Sequence, residues 1–240
     1  MTSIHTISLF DGDKPWSPLD WTSSDDRVRG GSSYSELACS PFSPTAIFKG
    51  NLDIETLGGA GFASQRTTGE GRNWDLSKYD GMVLDIEKAD EMQYTLILKG
   101  ELLPKSPNGR EQSTISWEYD FKADKEGEKV YVQWEEFKAT YRGREKKDAK
   151  PLDLKHVKRI SLMMRSFFGT QKGDFSLSIR SISTFHKSAD ACEYHDNPNE
   201  TSMSRPGNQP LDDEDGRRTL IGQDQGWFGW LFRLYTSNIY

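Results

Sequence analysis

Residues 160–182, ISLMMRSFFGTQKGDFSLSIRSI, read as a hairpin, two apolar strands joined by a turn around Gln171 that Gly169 and Gly173 bound. In the second strand Phe175, Leu177 and Ile179 alternate with Ser176, Ser178 and Arg180. A period of two sends one face into a core and the other toward water, which is the signature of a half-buried strand and not of a helix. Aromatic content points the same way. Phe, Tyr and Trp make up 12% of the chain, a bias that favours sheet.

Similar segments recur along the chain. His5, Ile7 and Leu9 alternate with smaller or polar residues; residues 46–48 follow and are closed by Gly50; residues 62–66 come after the flexible Gly58-Gly59-Ala60-Gly61. Met82, Leu84 and Ile86 share one face, as do Tyr94, Leu96 and Leu98. The clearest alternation sets Ile115, Trp117, Tyr119 and Phe121 against Ser116, Glu118 and Asp120, and Val130, Val132 and Trp134 come after it. With the late pair this makes about ten short strands punctuated by Gly, Pro, Asn and Asp, the pattern of an all-β sandwich or jelly roll. Only residues 153–159 resemble a helical turn, with Pro151 placed to begin it.

A chain of 240 residues can bury a substantial core, and one domain over residues 1–186 with a C-terminal extension fits the composition. Residues 187–225 hold nine acids against four basic residues, three of the ten prolines, and the acidic run Asp212-Asp213-Glu214-Asp215; they read as an acidic linker. Residues 226–240 form an aromatic apolar tail in which Trp227, Phe228, Trp230, Leu231, Phe232 and Leu234 leave almost no polar face. Such a patch seldom stays in water, yet it is too short to span a bilayer as a helix. It folds back over a sheet edge or groove, lies at a membrane interface, or docks on a partner.

The net charge of −6 sits mostly in the linker, so the body is nearly neutral. It lacks the clustered basic charge that displaces counterions, and no nucleic-acid partner is expected. Cys39 and Cys192 are too few for a disulfide framework or a zinc site and read as reduced thiols. No secretory signal or spanning apolar run is read, and residues 1–13 meet their first acid at Asp11 with no basic residue before it, unlike an Arg-rich presequence.

The densest polar constellation is Asp25-Asp26-Arg27-Val28-Arg29-Gly30-Gly31, close to Trp21. Arg27 or Arg29 could clamp a carboxylate or phosphate; the alternative, favoured by the cost of burying charge unpaired, is an ion-paired loop that pins the edge of a sandwich. His5, His156, His186 and His195 have no second ligand at metal spacing, and Asp11, Asp13 and Asp20 are at most a weak calcium signal. Gly58-Gly59-Ala60-Gly61 and Gly69-Glu70-Gly71 match no phosphate-binding fingerprint and read as hairpin loops. There is no nucleophile elbow or triad motif, and Glu135-Glu136, as neighbours on a strand, would point to opposite faces. Trp74, Tyr79 and Tyr141 could stack on sugar rings, with packing at the core or rim as the commoner fate. Catalytic residues, metal ligands and cofactors are all read as none.

Several of these blocks together carry a resemblance. Trp21, Ser24-Asp25-Asp26-Arg27-Val28, Gly30-Gly31-Ser32, Phe48-Lys49-Gly50-Asn51-Leu52 and Gly61-Phe62-Ala63-Ser64-Gln65-Arg66 resemble the opening of the Complex I intermediate-associated protein 30 family. Tyr79-Asp80-Gly81, Trp134 to Phe137, Tyr141-Arg142-Gly143, Ser166-Phe167-Phe168-Gly169, Gln171, Gly173 and Phe175 continue it in the family's order. The resemblance implies a galactose-binding-domain-like jelly roll and a non-catalytic, chaperone-like factor that binds intermediates of mitochondrial respiratory Complex I. It implies Complex I subunits or other assembly factors as partners, with peripheral membrane contact through the tail, and a mitochondrial location. The alternative is a cytoplasmic module that binds carbohydrate or another ligand. Candidate partner- or ligand-binding residues are Trp21, Asp25, Asp26, Arg27, Arg29, Arg66, Arg165 and Gln171; candidate tail-docking residues are Trp227, Phe228, Trp230, Leu231 and Phe232.

Overall fold

The computed structural model describes residues 2–189 apart from 11–15, 41 and 108; the linker, the aromatic tail, Cys192, His195, Asp11 and Asp13 lie outside the described residues. In chain order the strands are β1 (Thr2–Phe10), β2 (Trp21–Ser23), β3 (Tyr34–Cys39), β4 (Ala46–Leu52), β5 (Phe62–Thr67), β6 (Gly81–Lys88) and β7 (Tyr94–Lys99). Then come β8 (Ser116–Phe121), β9 (Lys129–Gln133), β10 (Lys138–Tyr141), β11 (Arg144–Glu145), β12 (Arg159–Arg165) and β13 (Gly173–Ala189). They form two antiparallel sheets. The first runs β3-β4-β13-β6-β9, with β1 on the far half of the long β13; the second runs β11-β10-β8-β7-β12-β5-β2. The chain is an all-β jelly-roll sandwich.

Alternation builds the core. Phe48, Ile86, Phe175, Leu177 and Ile179 face inward from the first sheet, and Tyr94, Leu96, Leu98, Ile160, Leu162 and Met164 from the second, each at most 3% exposed. Burying such a side chain stabilises the fold by about 1.5–3 kcal/mol relative to leaving it in water. Aromatic contacts organise two regions of this layer. Phe10 packs on Trp16 and Trp21 at one, with ring centroids 5.7 and 4.9 Å away. Phe48, Tyr94, Phe121 and Phe175 meet at the other, with tilted, edge-on and stacked rings.

The structure departs from several sequence expectations. The late pair of strands is no hairpin: β12 pairs with β5 and β7, while β13 pairs with β4, β6 and β1. Both strands have a full core face, so the turn between them arches from one sheet to the other. The Gly58 to Gly61 and Gly69 to Gly71 segments likewise cross between sheets, since β4 and β6 lie in the first and β5 in the second. Gly50 does not end β4. It sits inside the strand opposite Ser35, where a Cβ would stand 2.0 Å from the Tyr34 carbonyl oxygen, so glycine is what lets β3 pair so closely.

β3 itself escapes a search for large apolar alternation because its inward residues are Ser35 and Leu37. Glu135 and Glu136 lie in a 3-10 turn (Trp134–Glu136) and not on a strand; Glu136 reaches back to accept from the Gln133 amide at 2.7 Å. The helical reading over residues 153–159 contracts to a 3-10 turn (Leu154–His156) capped by Asp153, and Arg159 already begins β12.

Candidate functional site

Asp25 and Asp26 open a 3-10 turn (Asp26–Arg29) between β2 and β3, and both are buried. Asp26 has no exposure; its carboxylate accepts from the Ser33 amide (3.1 Å), the Ser33 hydroxyl (2.7 Å) and the Phe62 amide (3.0 Å). Asp25 accepts from the Ser35 hydroxyl (2.7 Å), the Ser64 amide (2.9 Å) and Arg27 (2.8 Å). Two adjacent carboxylates thus tie the loop to β3 in one sheet and β5 in the other. Gly31 fits beneath because a Cβ there would come within 2.3 Å of Asp26 Oδ1. Trp21 faces the core at 5% exposure.

The arch between β12 and β13 is held as firmly. Gln171 Oε1 accepts from the Gln93 amide (3.0 Å), and its Nε2 donates to the carbonyls of Gln93 (2.8 Å) and Arg165 (2.7 Å). The Ser166 amide donates to the Gly61 carbonyl at 3.0 Å. Between these anchors Phe167 (φ 43°), Phe168 (φ 62°) and Gly169 (φ 84°) are all left-handed. Two successive phenylalanines in that region carry strain of roughly 1–2 kcal/mol each. Phe168 is fully exposed, and Val28 is 58% exposed. The Asp26 turn, the Gly59 to Phe62 stretch and the arch adjoin one another, since Phe62 bonds Asp26, pairs with Arg165 and lies under Arg29 at 5.4 Å. The adjoining segments at this end of the sandwich thus carry the exposed Phe168, Val28, Arg27 and Arg29 on backbone that is firmly bonded.

The side chains of Arg66 and Arg165 lie on the face of the second sheet turned away from the core, Arg165 at the edge of the arch. Arg165 pairs with Glu118 (2.7 Å) and Asp120 (2.6 Å) and covers the Phe167 ring at 4.6 Å. Arg66 pairs with Glu111 at 2.7 Å, as does Arg159 at 2.8 Å. Lys99, opposite Arg159, completes the charged strip. Lys99, Glu111 and Arg159 escape sequence reasoning because they belong to separate segments: strand register brings Arg159 opposite Lys99, and the β7–β8 connection carries Glu111 to them. Trp117 and Tyr119 of β8 pack against the core, as do Trp74 and Tyr79, so the middle of this face is charged and not aromatic.

Among the described residues no group of three or more His, Cys, Asp or Glu converges at metal distance, and His5, His156 and His186 are exposed. Burial, helped by Asp20, pushes the partly covered Cys39 thiol above its ordinary range, the opposite of an activated nucleophile.

An uncharacterized protein of Schizosaccharomyces pombe is 42% identical over 186 residues, which is 75% of this chain and 84% of that protein. Among solved structures, the family 11 carbohydrate-binding module of the cellulosomal cellulase Lic26A-Cel5E of Clostridium thermocellum aligns over 76% of this chain and 95% of its own, with 15% identity and a TM-score of 0.49. The agarase AgWH50C aligns over 77% of this chain and 25% of its own, with 14% identity and a TM-score of 0.43. The fold assignment rests on the strand order given above. The model of the Complex I intermediate-associated protein 30 family matches residues 10–179, from the last residue of β1 into the middle of β13. The chain belongs to that family.

Proposed function

We propose that this family member is a non-catalytic, chaperone-like assembly factor that binds intermediates of respiratory Complex I in mitochondria. The family match over residues 10–179 carries the reading, because it takes in nearly the whole sandwich and not a fragment of it. Holding an intermediate calls for a rigid complementary surface. The end formed by Arg27, Val28, Arg29 and Phe168 meets that requirement, since an aromatic anchor on over-determined backbone loses little conformational freedom on binding and a neighbouring guanidinium adds polar contacts.

The test is co-purification of the tagged full-length protein from mitochondria in gentle detergent, comparing wild type with the double variant Val28→Ser, Phe168→Ser. Both side chains are exposed, so the variant keeps its melting temperature. The wild type is expected to bring down Complex I subunits or assembly factors and the variant at least about fivefold less, since one lost anchor contact is worth roughly 1 kcal/mol or more. A wild-type protein that recovers no Complex I component contradicts the function. Equal recovery by both proteins moves the interface away from this end.

A further inference from the structure

On the outer face of the second sheet three cations gather around one carboxylate. Arg159 of β12 stands opposite Lys99 of β7, and Ser161, two residues along β12, stands opposite Arg66 of β5. Glu111, from the connection between β7 and β8, accepts from Arg66 Nη2 at 2.7 Å and Arg159 Nη1 at 2.8 Å. Lys99 donates to the Thr114 hydroxyl at 3.1 Å and has no ion pair among the described residues. Arg159 is only 5% exposed, and its Nε, like that of Arg66, is buried without an acceptor.

The nearby acids are already engaged. Glu118 and Asp120 are both held by Arg165, and Glu70 lies 3.8 Å from Lys105. Burial first, and the Arg159 charge second, hold both Lys99 and Arg66 below their ordinary pKa values. A buried cation and orphaned guanidinium N–H groups are unfavourable in a native fold without a partner, and an anion is one partner that satisfies both.

We propose that Arg66, Lys99 and Arg159 form an anion site for a phosphate group, in which Glu111 sits as an internal stand-in. With Arg165 set against both Glu118 and Asp120, the strip carries four cations and three carboxylates, and displacing Glu111 would leave a deficit of about two negative charges, close to the roughly −1.5 to −2 that a phosphate monoester carries at neutral pH. The guanidinium fork matches phosphate oxygens, and lysine adds a point charge. The Glu111 side chain is 37% exposed, so the slot that it fills opens to water and an incoming anion can displace it. The site is independent of the assembly role.

Isothermal titration calorimetry of the full chain at fixed ionic strength tests this with two probes, inorganic phosphate and O-phosphoserine. Glu111→Gln removes the internal competitor and is expected to bind at least about tenfold more tightly than wild type, the scale of one charge-assisted contact. Adding Lys99→Met to Glu111→Gln, where the thermal melt shows a folded protein, is expected to reverse the gain. Uptake of inorganic phosphate alone assigns the free ion, and uptake of both assigns a phosphate carried on a larger ligand; either upholds the site. Binding by neither probe in Glu111→Gln overturns it, as does equal binding by the single and double variants.

Discussion

Asp26 decides more of the local structure than any other residue near the candidate interface. Its two carboxylate oxygens receive three donors, two from Ser33 just ahead of β3 and one from Phe62 at the start of β5, with no cation between them, whereas its neighbour Asp25 is the one that meets an arginine. Asp26→Asn replaces an acceptor by a donor that must face an N–H or O–H group in a closed site. The expected cost is about 1–3 kcal/mol, read as a melting temperature several degrees lower in a thermal denaturation scan. An unchanged melting curve would remove the latch from this account. The sequence reveals the density of charge here and, through Gly30-Gly31, a tight turn; the partners are another matter. Ser33 and Phe62 become ligands of one carboxylate only after two sheets have been stacked, and nothing in the spacing of residues 26, 33 and 62 announces it.

At the scale of elements, the periodic signal was legible wherever a strand buries large side chains on one face. β6, β7, β8, β12 and β13 all lie where alternation places them. It fails where the inward residues are small, as in β3, and it is silent about pairing. The motif around Gln171 reads as a hairpin from local pattern alone, because a hairpin and an arch between sheets share the sequence signature of strand, turn and strand. What distinguishes them is the third party: Gln171 bonds Gln93 on the approach to β7 and so closes the arch. Gln171→Ala leaves the Gln93 amide and the Arg165 carbonyl without these partners and is expected to cost about 2–3 kcal/mol. Native-state hydrogen exchange should show faster exchange at the Gln93 amide while Leu96 and Leu98 of β7 keep their protection. Loss of protection along the whole of β7 would mean that Gln171 supports the sheet and not the turn alone.

At the scale of the molecule, fold and role come from different observations. The fold follows from alternation and is confirmed by the strand order; the proposed role rests on family membership, which is a statement about the whole sandwich. The proposed recognition surfaces were only partly legible. Arg27 and Arg29 stand out in sequence and are indeed exposed, but the bare tip of Phe168 depends on a left-handed arch, and the cluster of Arg66, Lys99 and Arg159 depends on register. Native-gel separation of mitochondrial complexes from cells with and without the gene tests the central claim most directly. The account predicts that deletion lowers assembled Complex I and leaves subassemblies that the reintroduced wild-type chain clears. Normal amounts of assembled Complex I in the deletion strain would contradict it.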